Sequence, residues 1–436
     1  MKSIRKYLIA SVVLLSLGSL GFNRLFKIEP AHVEGADSKL DKIRLQPGFK
    51  IEHLLSPSDE NIGSWVSMTF DDKGRMICSD QYGGLYRLTI PAVGAESVKP
   101  QIEKLKFGKG ADTLGIGNAH GMLYAFNSLY VMVNARATKP GSVRGTASNF
   151  TPRGSGLYRV QDLDGDDQFD KITLMKEFVG EGEHGPHSII LSPDKKSIYL
   201  ISGNHTDVPP MDAYRLPKNW QEDNIFPLIK DPRGHANDRY APGGWIANID
   251  PEGKKWELVS AGYRNAFDIA FNETGDLFVY DADMEWDFGL PWYRPTRICH
   301  VTSGSEYGWR TGNSKWSTSY PDNLPPVLNI GQGSPTSLLS LRDAKFPAKY
   351  KKSLLAFDWT FGIGHIIKLK PSGSTFLADR EELFSGIPLP LTDGVIGPDG
   401  NLYFMTGGRR LESDLYRITY VGPEETSAKT IVGAPN

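Results

Sequence analysis

The chain has 436 residues, a formal net charge of −2, 46 glycines, 29 prolines and 11% aromatic residues. This balance offers no basic face for nucleic acid. The only cysteines, Cys78 and Cys299, provide neither a disulfide framework nor a Cys-x-x-Cys-His haem attachment. Abundant turn formers without long amphipathic periods argue for an all-β chain of many short strands.

At the N-terminus, Lys2, Arg5 and Lys6 precede an apolar run over residues 8–22. That run is shorter than the ~20 residues a membrane span needs. It suits the hydrophobic region of a secretory signal, with Ser19-Leu20-Gly21 as the small-residue cleavage site. Residues 1–22 are therefore expected to be a signal peptide or an uncleaved N-terminal anchor. The chain would then be periplasmic or secreted, meeting a membrane only through this segment. Residues 23–45 read as a polar linker and 421–436 as a C-terminal tail.

Between residues 46 and 420 one pattern recurs: an apolar strand, a turn such as Asp-x-x-Gly, then a second apolar strand. It begins at Val66, Leu123, Ile189, Ile269 and Val395, with a degraded copy at Ser337. Most copies are followed by a third strand, as in Gly84-Leu85-Tyr86-Arg87, Gly156-Leu157-Tyr158-Arg159 and Asp414-Leu415-Tyr416-Arg417. Repeats of a several-strand unit at irregular spacing point to a six-bladed β-propeller with loop insertions.

In such a ring, the residues entering each inner strand converge at one mouth of the central channel. They are Ser64 and Trp65, Ala119 and His120, Glu183 to His187, Arg264 and Asn265, Pro335 and Thr336, and Thr392 and Asp393. The stretch Glu183-His184-Gly185-Pro186-His187 puts two imidazoles and a carboxylate on a Gly-Pro turn before a buried strand. Alone, that turn equally suits capping or surface histidines. Convergence with His120, Arg264 and Asp393 favours a site. A second acidic cluster, residues 281–287 with Asp283, follows the second strand of its blade and reaches the same mouth, as does His205. The insertion over 207–243, containing His235, is long enough to form a lid or rim.

Residues 162–170 hold five carboxylates in nine positions. Asp162, Asp164, Asp166 and Asp170, with Gly165 for a sharp bend, provide the hard oxygens that Ca²⁺ prefers. The alternative is a solvated acidic turn. The loop lacks the Glu and helical flanks of an EF-hand, so a calcium ion there would be structural.

Glu183-His184 followed by Pro193-Asp194, Tyr263-Arg264-Asn265, Tyr307-Gly308-Trp309, and Asp393-Gly394-Val395-Ile396 with Pro398-Asp399-Gly400 resemble, in this order, the soluble quinoprotein glucose/sorbosone dehydrogenases. The resemblance spans roughly residues 45–420. Gly203-Asn204-His205-Thr206 and the acidic loop look closer to the bacterial membrane-bound dehydrogenase propeller modules, often joined to c-type haem domains. It implies a propeller using pyrroloquinoline quinone (PQQ) and Ca²⁺ to oxidise a sugar-like alcohol, passing electrons to an external acceptor. His184 would fall on the catalytic base and Arg264, beside Asn265, on the charge-stabilising arginine. Glu183, His120, His187, Asp283 and Asp393 would contact substrate or cofactor. The family's basic PQQ contacts fall on Pro390, Thr392 and near Thr360, so three expected cations are missing and PQQ is expected to bind weakly or not at all. Two rival readings use the same mouth: a metal-dependent hydrolase or lyase on His120, His184, His187 and Asp283 or Asp393, and a non-catalytic propeller binding a glycan or protein.

Overall fold

The computed structural model describes residues 38–108, 114–135, 154–220, 239–287, 289–311, 317–320 and 323–426. The expected signal or anchor (1–22), most of the linker and His235 lie outside them.

The short apolar segments bounded by Gly, Asp or Pro form strands, and the second strand of each blade is buried on nearly all of both faces, so no unit can exist without neighbours. Blade 1 is β3 (Trp65–Phe70), β4 (Met76–Asp80), β5 (Leu85–Thr89) and β6 (Gln101–Lys104). Blade 2 is β7 (Ala119–Ala125), β8 (Ser128–Val133), β9 (Gly156–Gln161) and β10 (Lys171–Glu177). Blade 3 comprises β11 (Pro186–Leu191), β12 (Ile198–Ser202), β14 (Gly244–Ile249) and β15 (Trp256–Tyr263), with the two-residue β13 (Ala213–Tyr214) added parallel at its edge. Blade 4 is β16 (Asp268–Phe271), β17 (Leu277–Asp281), β18 (Thr296–Val301) and β19 (Leu328–Gly331). Blade 5 is β20 (Pro335–Ser340), β21 (Ser353–Asp358), β22 (Ile363–Ser372) and β23 (Thr375–Gly386). In blade 6, β24 (Leu391–Ile396), β25 (Leu402–Thr406) and β26 (Leu415–Tyr420) take their outer strand from the start of the chain, β2 (Phe49–Leu55). The fold is an all-β six-bladed propeller.

Two N-terminal strands close the ring. β2 completes blade 6, and β1 (Ile43–Leu45) pairs with β23 at the edge of blade 5. β1 falls at the end of the expected linker. Its half-buried Ile43 and Leu45 alternate with exposed Arg44, enough to cover a sheet edge but too short to stand out in the sequence.

The core lies between blades rather than at a centre. One cluster joins Trp65, Met68 and Cys78 of blade 1 to Leu54, Leu55, Met405 and Leu415 of blade 6. Another joins Tyr130, Met132 and Leu157 of blade 2 to Ile189, Leu200 and Trp245 of blade 3. Each fully buried large side chain of this kind contributes roughly 1.5–3 kcal/mol. Cys78 and Cys299 are free and buried, in blades that stand opposite in the ring.

Candidate active site

Strands alternate in direction within each blade, so two sets of loops share the mouth: those entering the inner strands, and those joining second to third strands. The inner strands begin with a repeated irregularity. Register shifts leave one extra residue opposite the second strand at Val66, His120, Thr336 and Thr392, and a shift in β11 spans His187 and Ser188. Phe267 stands at the matching place before β16. A bulge re-aims its side chain and bends the strand. The result is a ring of Val66, His120, His187, Phe267, Thr336 and Thr392 around the channel. The Thr336 hydroxyl donates to Leu391 O (2.8 Å) and the Thr392 hydroxyl to Trp65 O (3.0 Å), each bond crossing to the next blade. His187 stacks on Phe267 at 4.1 Å and lies 6.1 Å from His120, centroid to centroid.

Asparagines fix the imidazoles. Asn134 exchanges two 2.8 Å bonds with the Gly182 backbone, which orients its amide so that Nδ2 donates to His120 Nδ1 (3.2 Å). The proton of neutral His120 is then on Nε2. Asn265 donates Nδ2 to Glu183 O (3.2 Å), so its Oδ1 accepts from His187 Nε2 (2.8 Å). Burial lowers the His120 pKa to about 4. Burial, reinforced by neighbouring His120, lowers His187 to about 3. Both are neutral at physiological pH. His184 is buried, with Nδ1 2.7 Å from Asn204 Oδ1 and its ring stacked on His205 at 4.5 Å. With Asn204 Oδ1 as acceptor, Nδ1 carries the proton and Nε2 is the basic atom.

Arg264 and Asn265 are held by Asp281 at the end of β17, whose Oδ1 accepts both backbone N–H groups (3.1 and 3.2 Å). The other oxygen of Asp281 takes the guanidinium of Arg297. Arg264 O in turn accepts from Asn204 N (2.8 Å), joining the arginine loop to the loop that orients His184. The Arg264 side chain is buried and already paired with Glu285 (3.2 Å) and Asp283 (3.8 Å). Asp283 also accepts from Tyr293 Oη (3.0 Å). The Tyr307-Gly308-Trp309 loop supports this corner from behind: Tyr307 stacks on Tyr263 at 5.0 Å and its carbonyl accepts from Arg297.

One level deeper, the equivalent positions are Ser67, Gly121, Ser188, Asp268, Ser337 and Asp393. The bulge at Thr392 places Asp393 here rather than at the mouth, where its sequence position suggested it would lie. Asp268 accepts Leu338 N–H and Asp393 accepts Met68 N–H, each at 2.7 Å and each across a blade seam. Ser337 Oγ lies 3.2 Å from Asp268 and 3.3 Å from Asp393, and its one proton serves one of them at a time. Burial raises the Asp268 pKa to about 6. Burial, and then the charge of Asp268, hold Asp393 well above the usual carboxyl range. A cavity of about 340 Å³ follows the channel, lined by His120, Asp268 and Asp393 among others. This is the lower end of small-molecule pocket sizes.

The mouth thus gathers His120, Glu183, His184, His187, Arg264, Asn265 and Asp283, with His205. The acidic loop lies on the opposite face, on a connection between third and fourth strands. There Asp162, Asp164 and Asp166 bring ligand oxygens within 4.8 Å of one another, while Asp170 accepts Leu163 N–H. Asp167 is engaged instead by Arg75, Lys73 and Arg87, and the Arg75 guanidinium is the main cause of its depressed pKa.

Three groups escaped the sequence reading: the positioning amides Asn134 and Asn204, and the pair Arg409 and Arg410. Arg409 reaches Glu183 (2.6 Å) and lies over the Trp359 ring, and Arg410 lies over Tyr82. They sit in the loop between the second and third strands of blade 6, so the rule that placed Asp283 at the mouth would have found them.

No protein-family model matches the sequence, and no curated protein does. Solved structures share the fold. An oxidoreductase described as a glucose dehydrogenase from Thermus thermophilus is 17% identical, matching 85% of this chain and all of its own at a TM-score of 0.55. The PQQ-bound aldose sugar dehydrogenase from Streptomyces coelicolor is 14% identical over 86% of this chain and all of its own, TM-score 0.53. The holo PQQ domain of pyranose dehydrogenase from Coprinopsis cinerea is 12% identical over 87% and 97% of the two chains, TM-score 0.54. At these identities the likeness concerns the propeller, and the site must be argued from its own residues.

Proposed function

We propose that this propeller is an exported oxidoreductase acting on a sugar-like polar alcohol at its mouth, with His184 taking the hydroxyl proton while the C–H hydride passes to an external quinone-type two-electron acceptor. One observation carries the reading: a buried histidine whose Nδ1 donates to Asn204, making Nε2 the basic nitrogen, on a loop that Asn265, beside Arg264, bonds at Glu183 O. A base fixed in this way contributes typically about 10²–10⁴ in rate. Asn265 and Asn134 orient the flanking imidazoles, and burial keeps them neutral. Export rests on the charged and apolar pattern of residues 1–22.

PQQ does not fit this mouth as a resident trianion. Thr392 and Thr360 spend their hydroxyls on Trp65 O and Ser334, and the Pro390 carbonyl accepts Gly407 N–H. Arg264 and Arg409 already hold carboxylates, so among the described residues of the mouth only Arg410 lacks an acidic partner. Three further carboxylates would displace ion pairs or stay unpaired, which is costly. Ca²⁺ does fit the opposite face, where Asp162, Asp164 and Asp166 supply clustered hard oxygens, and we assign it a structural role there. The rival metal-dependent reading gains no support. Among the described residues, only those three aspartates bring three ligand atoms within 4.8 Å.

The test is reduction of an artificial electron-acceptor dye by purified protein across a panel of sugars and polyols. Polyol-dependent reduction is expected, falling by about 10²-fold or more in His184→Gln while melting temperature holds. Polyol binding without any reduction would sink the oxidoreductase reading and leave a binding propeller.

A further inference from the structure

We propose that Arg409 and Arg410 form an anion subsite at the mouth that takes the carboxylate of a small hydroxy acid of the sugar-acid type. The proposal rests on the mouth being a ligand site and adds the class of ligand.

The backbone gives the first argument. Four successive residues, Gly407, Gly408, Arg409 and Arg410, have φ of 139°, 76°, 52° and 64°. Left-handed backbone suits glycine and opposes long side chains. Two arginines held there after two glycines place guanidinium groups where the turn itself would prefer none. Strain of this kind points to a use for the side chains.

Their surroundings give the second. Trp359 Nε1 donates to Gly407 O (2.8 Å), fixing the indole against the loop, and Arg409 lies 5.3 Å above that ring. Arg410 lies 5.2 Å above Tyr82. Aromatic faces hold a guanidinium without neutralising it, which leaves its N–H edge for an anion. The one carboxylate present, Glu183, belongs to the loop entering blade 3, opposite blade 6 in the ring. Arg409 therefore reaches over the mouth to meet it. Both partners are more than half exposed, and such a pair contributes little stability and exchanges readily.

Charge distribution gives the third. Arg409 and Arg410, on the loop of blade 6, have between them one acidic partner, Glu183, which comes from blade 3. On the side of blade 4, one guanidinium faces two carboxylates, Glu285 and Asp283. The mouth is polarised, and it matches a ligand with an anionic end and a hydroxyl-bearing end. Glu183, whose place on Arg409 such a carboxylate would take, immediately precedes His184 in the chain, so the subsite and the base share one loop.

The experiment is calorimetric titration of D-glucuronate, D-glucose and PQQ into wild type, Glu183→Gln, Arg409→Gln, Arg410→Gln and the double arginine variant, with melting temperatures confirming folding. Glucuronate is expected to bind wild type about tenfold tighter than glucose, the size of one charge-assisted contact at a wet site. Glu183→Gln should widen the preference for glucuronate over glucose. The double arginine variant should erase the acid's advantage while glucose binding persists. Equal affinity for acid and neutral sugar, failure of glucuronate to bind, or an advantage that survives the double variant would each overturn the subsite. Arginine-dependent binding of PQQ but not glucuronate would overturn the hydroxy-acid assignment. These readouts are independent of turnover: glucuronate bound by the arginines without dye reduction supports the subsite and rejects the oxidation, and His184-dependent turnover without acid preference does the reverse.

Discussion

Asp268 is buried in the channel wall with both oxygens already accepting backbone N–H groups, Ile269 at 2.8 Å and Leu338 at 2.7 Å. Those bonds favour the ionised form, yet loss of water outweighs them and the pKa rises to about 6 from an ordinary 3.8. Because the folded value is the higher one, the stability this group contributes is complete below about pH 3.8 and lost as pH rises through about 6. His120 and His187 act in the opposite sense. Their folded values lie below the ordinary 6.5, so their contribution is complete above it and lost as pH falls toward 3–4. A melting curve of wild type alone mixes these trends. Asp268→Asn removes the titration and keeps one acceptor, for Leu338 N–H; the lost bond from Ile269 N–H is a cost that does not vary with pH. The wild-type minus variant difference in melting temperature should therefore decline from pH 4 to pH 7. A difference that stays flat would show that the carboxyl does not titrate in this range. At this scale the sequence was partly legible. His184 and Arg264 stand out because turn residues flank them at the entry to buried strands. Asp393 could not be placed, because one extra residue in β24 moves a side chain from mouth to channel and nothing in Leu391-Thr392-Asp393 announces a bulge.

The strands and turns show a similar division. Turns that end in glycine between apolar runs, residues 71–74, 272–275 and 397–400, announce the inner hairpins of blades 1, 4 and 6 directly, since each turn needs a left-handed residue that glycine supplies, as at Gly74, Gly275 and Gly400. The acidic loop was legible as a cluster of hard oxygens but not as an interface. Lys73, Arg75 and Arg87 of blade 1 all converge on Asp167, so this connection of blade 2 is also a clamp on its neighbour. Its three clustered carboxylates repel one another until a cation neutralises them. Calcium-loaded protein should melt lower after chelation, since an ion bound only to the folded state stabilises it, by about 2.7 kcal/mol at a hundredfold excess over Kd. Asp164→Ala should abolish most of that sensitivity and leave the Asp167 clamp intact. Unchanged melting with chelator in calcium-free buffer would reduce the loop to a solvated turn.

For the whole molecule, the decisive contact is the least local one. β2 at the start of the chain pairs with β26 near its end, and the mixed apolar and polar residues 49–55 carry no mark of a partner 360 or more residues away. Only the need of a ring to close supplies that partner. Closure also governs cooperativity. In open repeat arrays each unit touches only its neighbours and can fray from an end, whereas here every seam is stapled. Ser79 reaches Ala119, Asn134 reaches Gly182, Asn265 reaches Glu183, Asp268 reaches Leu338, Thr336 reaches Leu391 and Asp393 reaches Met68, one bond for each seam. Opening one seam therefore gives the ring two free edges. The buried thiols report on this from opposite sides. Cys78 packs in the cluster that contains Leu54 and Leu55 of β2, and Cys299 packs in a separate cluster with Tyr263 and Ile269. Neither thiol should react in native buffer, and both should become reactive at the same denaturant concentration. Leu55→Ala removes buried contacts only beside Cys78, at a cost of about 2–5 kcal/mol. If the ring unfolds as one unit, labelling of Cys299 will shift to lower denaturant together with Cys78. Early reaction of Cys78 alone in the variant would show that the blade 6–blade 1 seam opens without the rest, and that closure holds the blades in place without coupling them.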